Sequence, residues 1–97
     1  MLLVTENAKS ALKTTLENLE ILPGQYVRIR VTSSGHFGLS LDTEAQGDQV
    51  VSHGEAKVLL VDNETAKRLA GVVLDYRDSK EGPEFTLLRT EESEQAG

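Results

Sequence analysis

The fold depends on one stretch, which reads YVRIRVTSSGHFGLSLD at positions 26–42. In its first part Val27, Ile29 and Val31 alternate with polar residues, which is the period-two pattern of a strand with one face in the core and one in water. Slipping this register by one residue would bury both Arg28 and Arg30. The pattern therefore predicts a strand whose arginines face solvent.

The second part of the stretch predicts the return strand of a hairpin. Leu39 and Leu41 fall on one side and Ser40 and Asp42 on the other, so both leucines are expected in the core. The predicted tip is Ser33–Gly38, expected to be exposed and mobile. This tip is the first place to look for a binding site.

Length and composition limit the function classes. The 97 residues suffice for one domain, and ten basic against sixteen acidic residues give a formal charge of -6. An acidic surface repels phosphate backbones, so we expect no nucleic-acid partner. The chain has no cysteine, which excludes disulfides, thiolate zinc sites, cysteine nucleophiles and cysteine-ligated clusters for this chain by itself.

No part of the sequence predicts a membrane segment. A run of about 18 apolar residues is missing, and Met1-Leu2-Leu3-Val4 is too short and lacks the basic flank of a signal peptide. We therefore expect a cytoplasmic protein with no membrane partner.

The first thirty residues predict a short strand at 2–4 and an amphipathic helix. Thr5 is the predicted N-cap, and Leu22-Pro23-Gly24 ends the helix and turns the chain. One apolar stripe recurs at helical spacing and comprises Ala8, Leu12, Leu16 and Leu19.

The second half predicts strands around a short helix. Residues 56–61 form a buried strand, Asp62 or Asn63 caps the helix, and Gly71 stops it. Strands at 72–76 and 85–88 are joined by a predicted charged loop, 77–84, while Val50-Val51 is too short to assign. The result is an α+β fold with mostly antiparallel strands and both helices packed on the sheet.

With these elements in order, the sequence resembles the HesB-like family of A-type iron–sulfur carrier and scaffold proteins. The family bend Gly-Gly-Gly-Cys-Ser-Gly-Phe aligns without a gap with positions 33–39, which places His36 at the bend. Further matches, in order, are Asp48 and Val50, Val61-Asp62, Leu69 and Gly71 with Asp75-Tyr76, and Gly82 with Phe85. The resemblance covers residues 2–88 and implies a mixed, mostly antiparallel β pseudobarrel or sandwich with two helices.

The resemblance implies a domain at 1–88, and the acidic residues that follow have nothing to bury, so we expect a disordered tail at 89–97. Family members hold iron or a cluster, commonly between subunits, with a cysteine in the bend and a Cys-x-Cys near the C-terminus. His36 stands at the bend position here, and the tail has no sulfur ligand. The family implies an iron or iron–sulfur cofactor whose thiolate ligands this chain lacks, so we expect none to be bound.

Two alternatives for the hairpin tip remain open. His36 is a candidate iron or zinc ligand, with His53 and a carboxylate such as Asp42 or Glu55 completing two histidines and one acid. The alternative is that His36 is an exposed loop histidine without a functional role.

The tip also predicts an anion or partner loop formed by Ser33, Ser34, Gly35 and Gly38. A turn selected for backbone geometry explains the same residues. Ser34 beside His36 has no third orienting group, so we predict no enzymatic activity.

The two arginines of the first strand and the Asp75-Tyr76 pair each have a structural interpretation beside a functional one. Arg28 and Arg30 either bind an acidic partner or pair with local carboxylates. Asp75-Tyr76 requires no function, because a tyrosine at a strand end can cover the core with its hydroxyl in water.

Three hypotheses for function follow. The first is a non-enzymatic HesB-like domain without cluster ligands that serves as a binding or regulatory module. The second is an accessory protein of iron–sulfur assembly that acts through a cysteine-bearing partner, and homo-oligomers fit either role. The third is a histidine/carboxylate metal-binding protein.

Overall fold

The computed structural model describes residues 2–32 and 36–89. The predicted tip residues Ser33, Ser34 and Gly35 and the tail from 90 onward lie outside the described residues. In chain order the elements are β1 (Leu3–Val4), α1 (Glu6–Asn18), β2 (Gln25–Val31), β3 (Phe37–Thr43), β4 (Gln49–His53), β5 (Ala56–Val61), α2 (Asn63–Arg68), β6 (Val72–Ser79) and β7 (Gly82–Arg89).

The strands form two sheets. One has three strands in the order β1-β6-β7, and the other has four in the order β3-β2-β5-β4. The β1–β6 and β2–β5 pairs are parallel, and the remaining pairs are antiparallel. The predicted α+β class with mostly antiparallel pairing is confirmed.

The first helix packs as its pattern predicts. Thr5 is the N-cap, and its Oγ1 accepts a hydrogen bond from the Ala8 N–H at 3.1 Å. Ala8, Leu12 and Leu16 are buried, whereas Leu19 lies just past the helix end and is 45% exposed. α1 thus contributes three residues of the predicted stripe to the core.

The β2–β3 hairpin has the predicted register but not the predicted burial. Leu39 lies opposite Ile29 and Leu41 opposite Val27, so all four share the core face. Leu39 and Leu41 are nevertheless 37% and 40% exposed. Their predicted burial is wrong because β3 is the edge strand of its sheet and its core face is only partly covered.

Two other details of the hairpin differ from the prediction. Arg28, expected in water, is buried with 4% exposure, and Val31 is only half-buried. Phe37 and Gly38, expected in the tip, already belong to β3. The hairpin connection is therefore shorter than predicted.

The second half contains more strand than the pattern indicates. β4 is a five-residue strand around Val50-Val51. β6 and β7 extend through most of the predicted loop 77–84, because Arg77 pairs across the ladder with Glu84 and Asp78 with Pro83. Pro83 is tolerated because β7 is an edge strand.

The short second helix follows its prediction. Asp62 is the N-cap, its Oδ1 accepting from the Thr65 N–H at 2.8 Å, and Gly71 follows the helix with a positive φ of 79°. Among the described residues no helix has the length and apolar character needed to cross a bilayer.

Candidate functional site

His36 lies at the end of the β2–β3 hairpin, directly before β3. The Thr32 N–H donates to the His36 carbonyl at 2.8 Å, and the His36 N–H donates to Thr32 Oγ1 at 3.2 Å. These bonds continue the ladder one step beyond the last strand pair, Val31 with Phe37. His36 is therefore held by its main chain, and the residue is exposed.

His53 lies at the opposite end and on the opposite edge of the same sheet. It pairs with Ala56 at the start of β5, and Leu59 of β5 is level with Val27 near the start of β2. His36 follows the far end of β2, which places the two histidines roughly 25 Å apart along the strand direction. The structure does not bring the two predicted histidine ligands together.

The candidate carboxylates do not complete a metal site either. Asp42 forms an ion pair with Arg28. The carboxylate near His53 is that of Glu6, whose Oε2 lies 3.6 Å from His53 Nδ1. Within residues 2–32 and 36–89, no three or more histidine, aspartate or glutamate side chains are grouped to hold a metal ion. A metal at His36 would need further ligands from outside the described residues.

Gly38 does not have the backbone of an anion-binding loop. It lies in the regular ladder opposite Arg30, without a positive φ. A Cβ built there meets no atom within 4 Å. Neither backbone geometry nor space requires glycine at this position.

Alternation predicts Arg28 in water, whereas the structure buries it among carboxylates. Its two terminal nitrogens donate to both Asp48 carboxylate oxygens at 3.1 and 2.6 Å, and Nε donates to Asp42 Oδ2 at 2.7 Å. It also donates to the Thr43 carbonyl at 3.1 Å. The guanidinium thus holds the β3–β4 connection against β2.

The charges around Arg28 stabilise one another. The hydrogen bond from Arg28 lowers the pKa of Asp48, while the Thr43 N–H and then Arg28 lower the pKa of Asp42. Arg30 is exposed and lies 3.4 Å from Asp42. The interpretation of local pairing is confirmed for both arginines, although alternation alone could not tell which would be buried.

Asp75 has a structural role at the start of α1. It accepts from Thr5 Oγ1 at 2.6 Å and from the Tyr76 N–H at 2.9 Å, and these bonds, with Thr5 the larger cause, lower its pKa. Tyr76 is half-buried and packs on Phe85 with ring centroids 4.7 Å apart. Asp75 thus joins the helix N-terminus to β6. Tyr76 packs against the core as its structural interpretation predicts, but it lies within β6 and not at a strand end.

The comparison with curated sequences finds relatives along nearly the whole chain. No protein-family model matches. An uncharacterized protein encoded 5′ of nifU in Azotobacter vinelandii is 35% identical, over 100% of this chain and 94% of its own. A Dechloromonas aromatica protein named after the iron–sulfur cluster insertion protein ErpA is 30% identical over 86% and 74%. ErpA of Marinobacter nauticus is 28% identical over 99% and 90%.

Solved structures share the fold. SufA of Escherichia coli, involved in biosynthesis of iron–sulfur clusters, superposes with a TM-score of 0.71 at 21% identity, covering 91% of this chain and 84% of its own. IscA with a [2Fe-2S] cluster gives a TM-score of 0.61 at 24% identity, covering 92% and 82%.

The two sheets and two helices, in this order, have the fold of SufA and IscA. With relatives at this identity and coverage, the chain belongs to the HesB-like family of A-type iron–sulfur carriers. It does so without a single cysteine.

Proposed function

We propose that this chain is a non-enzymatic binding module of the A-type carrier family that does not itself ligate a cluster. The observation that carries the proposal is the complete absence of cysteine. By the resemblance described above, His36 stands where the family has its bend cysteine. Iron–sulfur clusters are held by thiolates, and histidine replaces them only in part. A single exposed imidazole is not a cluster site.

The arrangement of the remaining ligand-type side chains supports the same proposal. His53 lies at the other end of the sheet from His36, and Asp42 is neutralised by Arg28. What the chain shares with its family is the fold, with the hairpin end at His36 exposed. Such a surface serves recognition.

Anaerobic purification followed by iron and acid-labile sulfide analysis tests this role. A cysteine-bearing relative such as ErpA, prepared in parallel, shows that loading conditions were adequate. We expect the control to carry iron and sulfide and this chain to carry neither in stoichiometric amount. Stoichiometric iron with visible charge-transfer absorption would overturn the proposal.

Metal analysis of the same preparation, extended to zinc, decides the histidine/carboxylate alternative. If a metal other than a cluster is bound at His36, His36→Ala removes it while His53→Ala does not. Metal retained by both variants, or lost only from His53→Ala, rules out a site centred on His36.

A second proposal concerns the partner. The relatives are named for iron–sulfur cluster insertion, which favours an accessory role exercised through a cysteine-bearing assembly protein in the cytoplasm. Capture of the tagged chain from its native cell should recover such a protein. Recovery of other proteins but no assembly component would contradict this version and leave the cluster-free binding module intact.

A further inference from the structure

One edge of β6 is covered by another strand for only part of its length. β1 pairs with β6 at Val73 and Leu74, and the chain then leaves the sheet at Thr5, whose N–H donates to the Leu74 carbonyl at 3.0 Å. On its other edge β6 pairs with β7 through Ser79. Beyond Leu74, no strand of the described residues covers the first edge.

The uncovered edge presents main-chain groups suited to another strand. Because the Leu74 carbonyl faces β1 and strand groups alternate, Tyr76 and Asp78 present their N–H and C=O on that same edge. The Asp75 carboxylate accepts the Tyr76 N–H at 2.9 Å. The Tyr76 carbonyl and both Asp78 groups face no strand in the described part of the chain.

A groove of the described surface lies along this edge. It has a volume of about 750 Å³ and is bounded by α1 on one side and by Asp75, Tyr76, Arg77 and Asp78 on the other. A cavity over one face of a strand touches alternate residues, whereas four consecutive residues line this one. The groove therefore runs along the edge of β6.

The helical wall carries small, uncharged groups. The side chains of α1 that line the groove are amides, hydroxyls and small apolar groups, supplied by Asn7, Ser10, Ala11, Thr14, Thr15 and Asn18. The lysines and Glu17 of α1 are not among them. A groove with an open strand edge and hydrogen-bonding side chains suits polypeptide backbone.

The charge of the groove favours one kind of occupant. Its charged lining is Asp75, Asp78 and Arg77, and the Arg77 Nε lies 3.9 Å from Asp75 Oδ2, so the lining keeps one net negative charge. The whole chain has a formal charge of -6. A second copy of this chain, or its own tail with Glu91, Glu92 and Glu94, would bring further negative charge to the carboxylates at the edge. A basic segment is attracted instead.

We propose that the groove between α1 and β6 binds an extended, basic segment of a partner protein, which adds a strand to the free edge of β6. This is β-strand addition, in which main-chain hydrogen bonds provide affinity. About five residues, roughly 16 Å, would run in the direction of β1 beside Asp75–Ser79. The inference rests on the binding role proposed above and specifies its surface and partner chemistry.

The test uses the full chain, labelled with nitrogen-15, and a capped heptapeptide Lys-Thr-Val-Lys-Thr-Val-Lys. Titration to about 1 mM peptide should shift the amide signals of Tyr76, Asp78 and the groove side of α1, with saturation in the micromolar to millimolar range. The same peptide with glutamate for lysine should bind at least about tenfold more weakly. No shifts at the groove, or shifts centred elsewhere, would overturn the proposal.

Two variants separate strand addition from simple charge attraction. Asp78→Pro removes the outward N–H without changing the hydrogen bonds to β7, and it should lower the affinity for the lysine peptide at least about tenfold. Asp78→Asn keeps that N–H and should lower the peptide affinity by a smaller factor. Glu20→Lys alters an exposed charge outside the groove and should leave affinity unchanged. Each variant is first shown to keep the wild-type amide spectrum away from its substitution.

The possible outcomes remain distinct. Equal binding by Asp78→Pro and wild type contradicts strand addition. Concentration-dependent shifts of the groove amides without peptide assign the groove to a second copy and also contradict it. Peptide bound at the groove of a chain that carries stoichiometric iron would preserve this inference and overturn the cluster-free role. A chain that carries no iron and shows no peptide-induced shifts at the groove would overturn this inference and preserve the cluster-free role.

Discussion

Arg28 and Asp48 form a nearly solvent-free ion pair, with side chains 5% and 2% exposed. Removing two charges from water is costly, and this pair offsets the cost with two parallel hydrogen bonds. Asp42 and the Thr43 carbonyl satisfy the rest of the guanidinium. The pair specifies the path of the β3–β4 connection because either charge, if buried without its partner, would destabilise the fold.

Asp48→Ala should therefore lower the free energy of unfolding by about 3 kcal/mol at neutral pH, since it leaves a buried cation half paired. Because Arg28 lowers the pKa of Asp48 in the folded state, the native state binds fewer protons than the unfolded state. The stability from this carboxylate is present above its ordinary pKa of 3.8 and is lost as the pH falls below that value through the folded pKa.

Urea unfolding at several pH values measures both effects. The difference in free energy of unfolding between wild type and Asp48→Ala should be largest near neutral pH and should decrease in acid. Glu44→Ala, which removes an exposed partner of Lys57, is the matched control and should change stability far less. A difference that grows as the pH falls would contradict the pairing.

At the scale of elements, the β6–β7 hairpin shows why a charged segment need not be a loop. The ladder runs without a shift from Val72 with Arg89 to Ser79 with Gly82, leaving Lys80 and Glu81 as the turn. Its distal half is exposed, so it shows no apolar alternation for pattern reading to detect. Main-chain pairing and the turn form the strands there.

Gly82 is the residue on which this turn depends. Its φ of 114° is one that residues with a Cβ rarely adopt. Gly82→Ala should cost about 1 kcal/mol or more of stability. Gly38→Ala is the matched control, since Gly38 has no positive φ and open space at its Cβ, and it should be neutral or slightly stabilising. Thermal unfolding compares the two, and equal losses would refute the assignment.

For the whole molecule, side-chain hydrogen bonds join the two sheets at the β1/β4 side, and an apolar crevice lies between them at the β3/β7 side. At the β1/β4 side the Gln49 side chain pairs with the Leu2 main chain, accepting its N–H at 3.0 Å and donating to its carbonyl at 2.8 Å. At the β3/β7 side a crevice of about 130 Å³ reaches Leu41 and Phe85. Coverage of the core is therefore uneven, since Leu59 is fully buried whereas Leu41 on the β3 edge is 40% exposed.

Leucine truncations should reveal this asymmetry. Leu59→Ala, at a fully buried position, should cost about 3 kcal/mol, whereas Leu41→Ala should cost about 1 kcal/mol because its side chain is already partly in water. Both strands face the same core, so the comparison isolates coverage. Equal losses in urea unfolding would show that the crevice is closed in solution.

The sequence by itself determined the elements whose signal is local. The Thr5 cap, three of the four residues of the α1 stripe, the β2–β3 register and the α+β class were predicted from such local signals, and Asp62 was one of the two caps predicted for α2. The absence of cysteine, and with it the absence of thiolate ligands, is likewise a property of the sequence alone.

Only the tertiary structure decided which side chains those elements cover and bring together. Alternation places Arg28 and Arg30 identically, and Asp48, twenty positions along the chain from Arg28, selects the one that is buried. Leu39 and Leu41 face the core but lie on an edge strand, and the sheets keep His36 and His53 apart. The open edge of β6 exists because β1 is only two residues long and α1 then diverges from it. Such long-range geometry leaves no periodic trace in the chain.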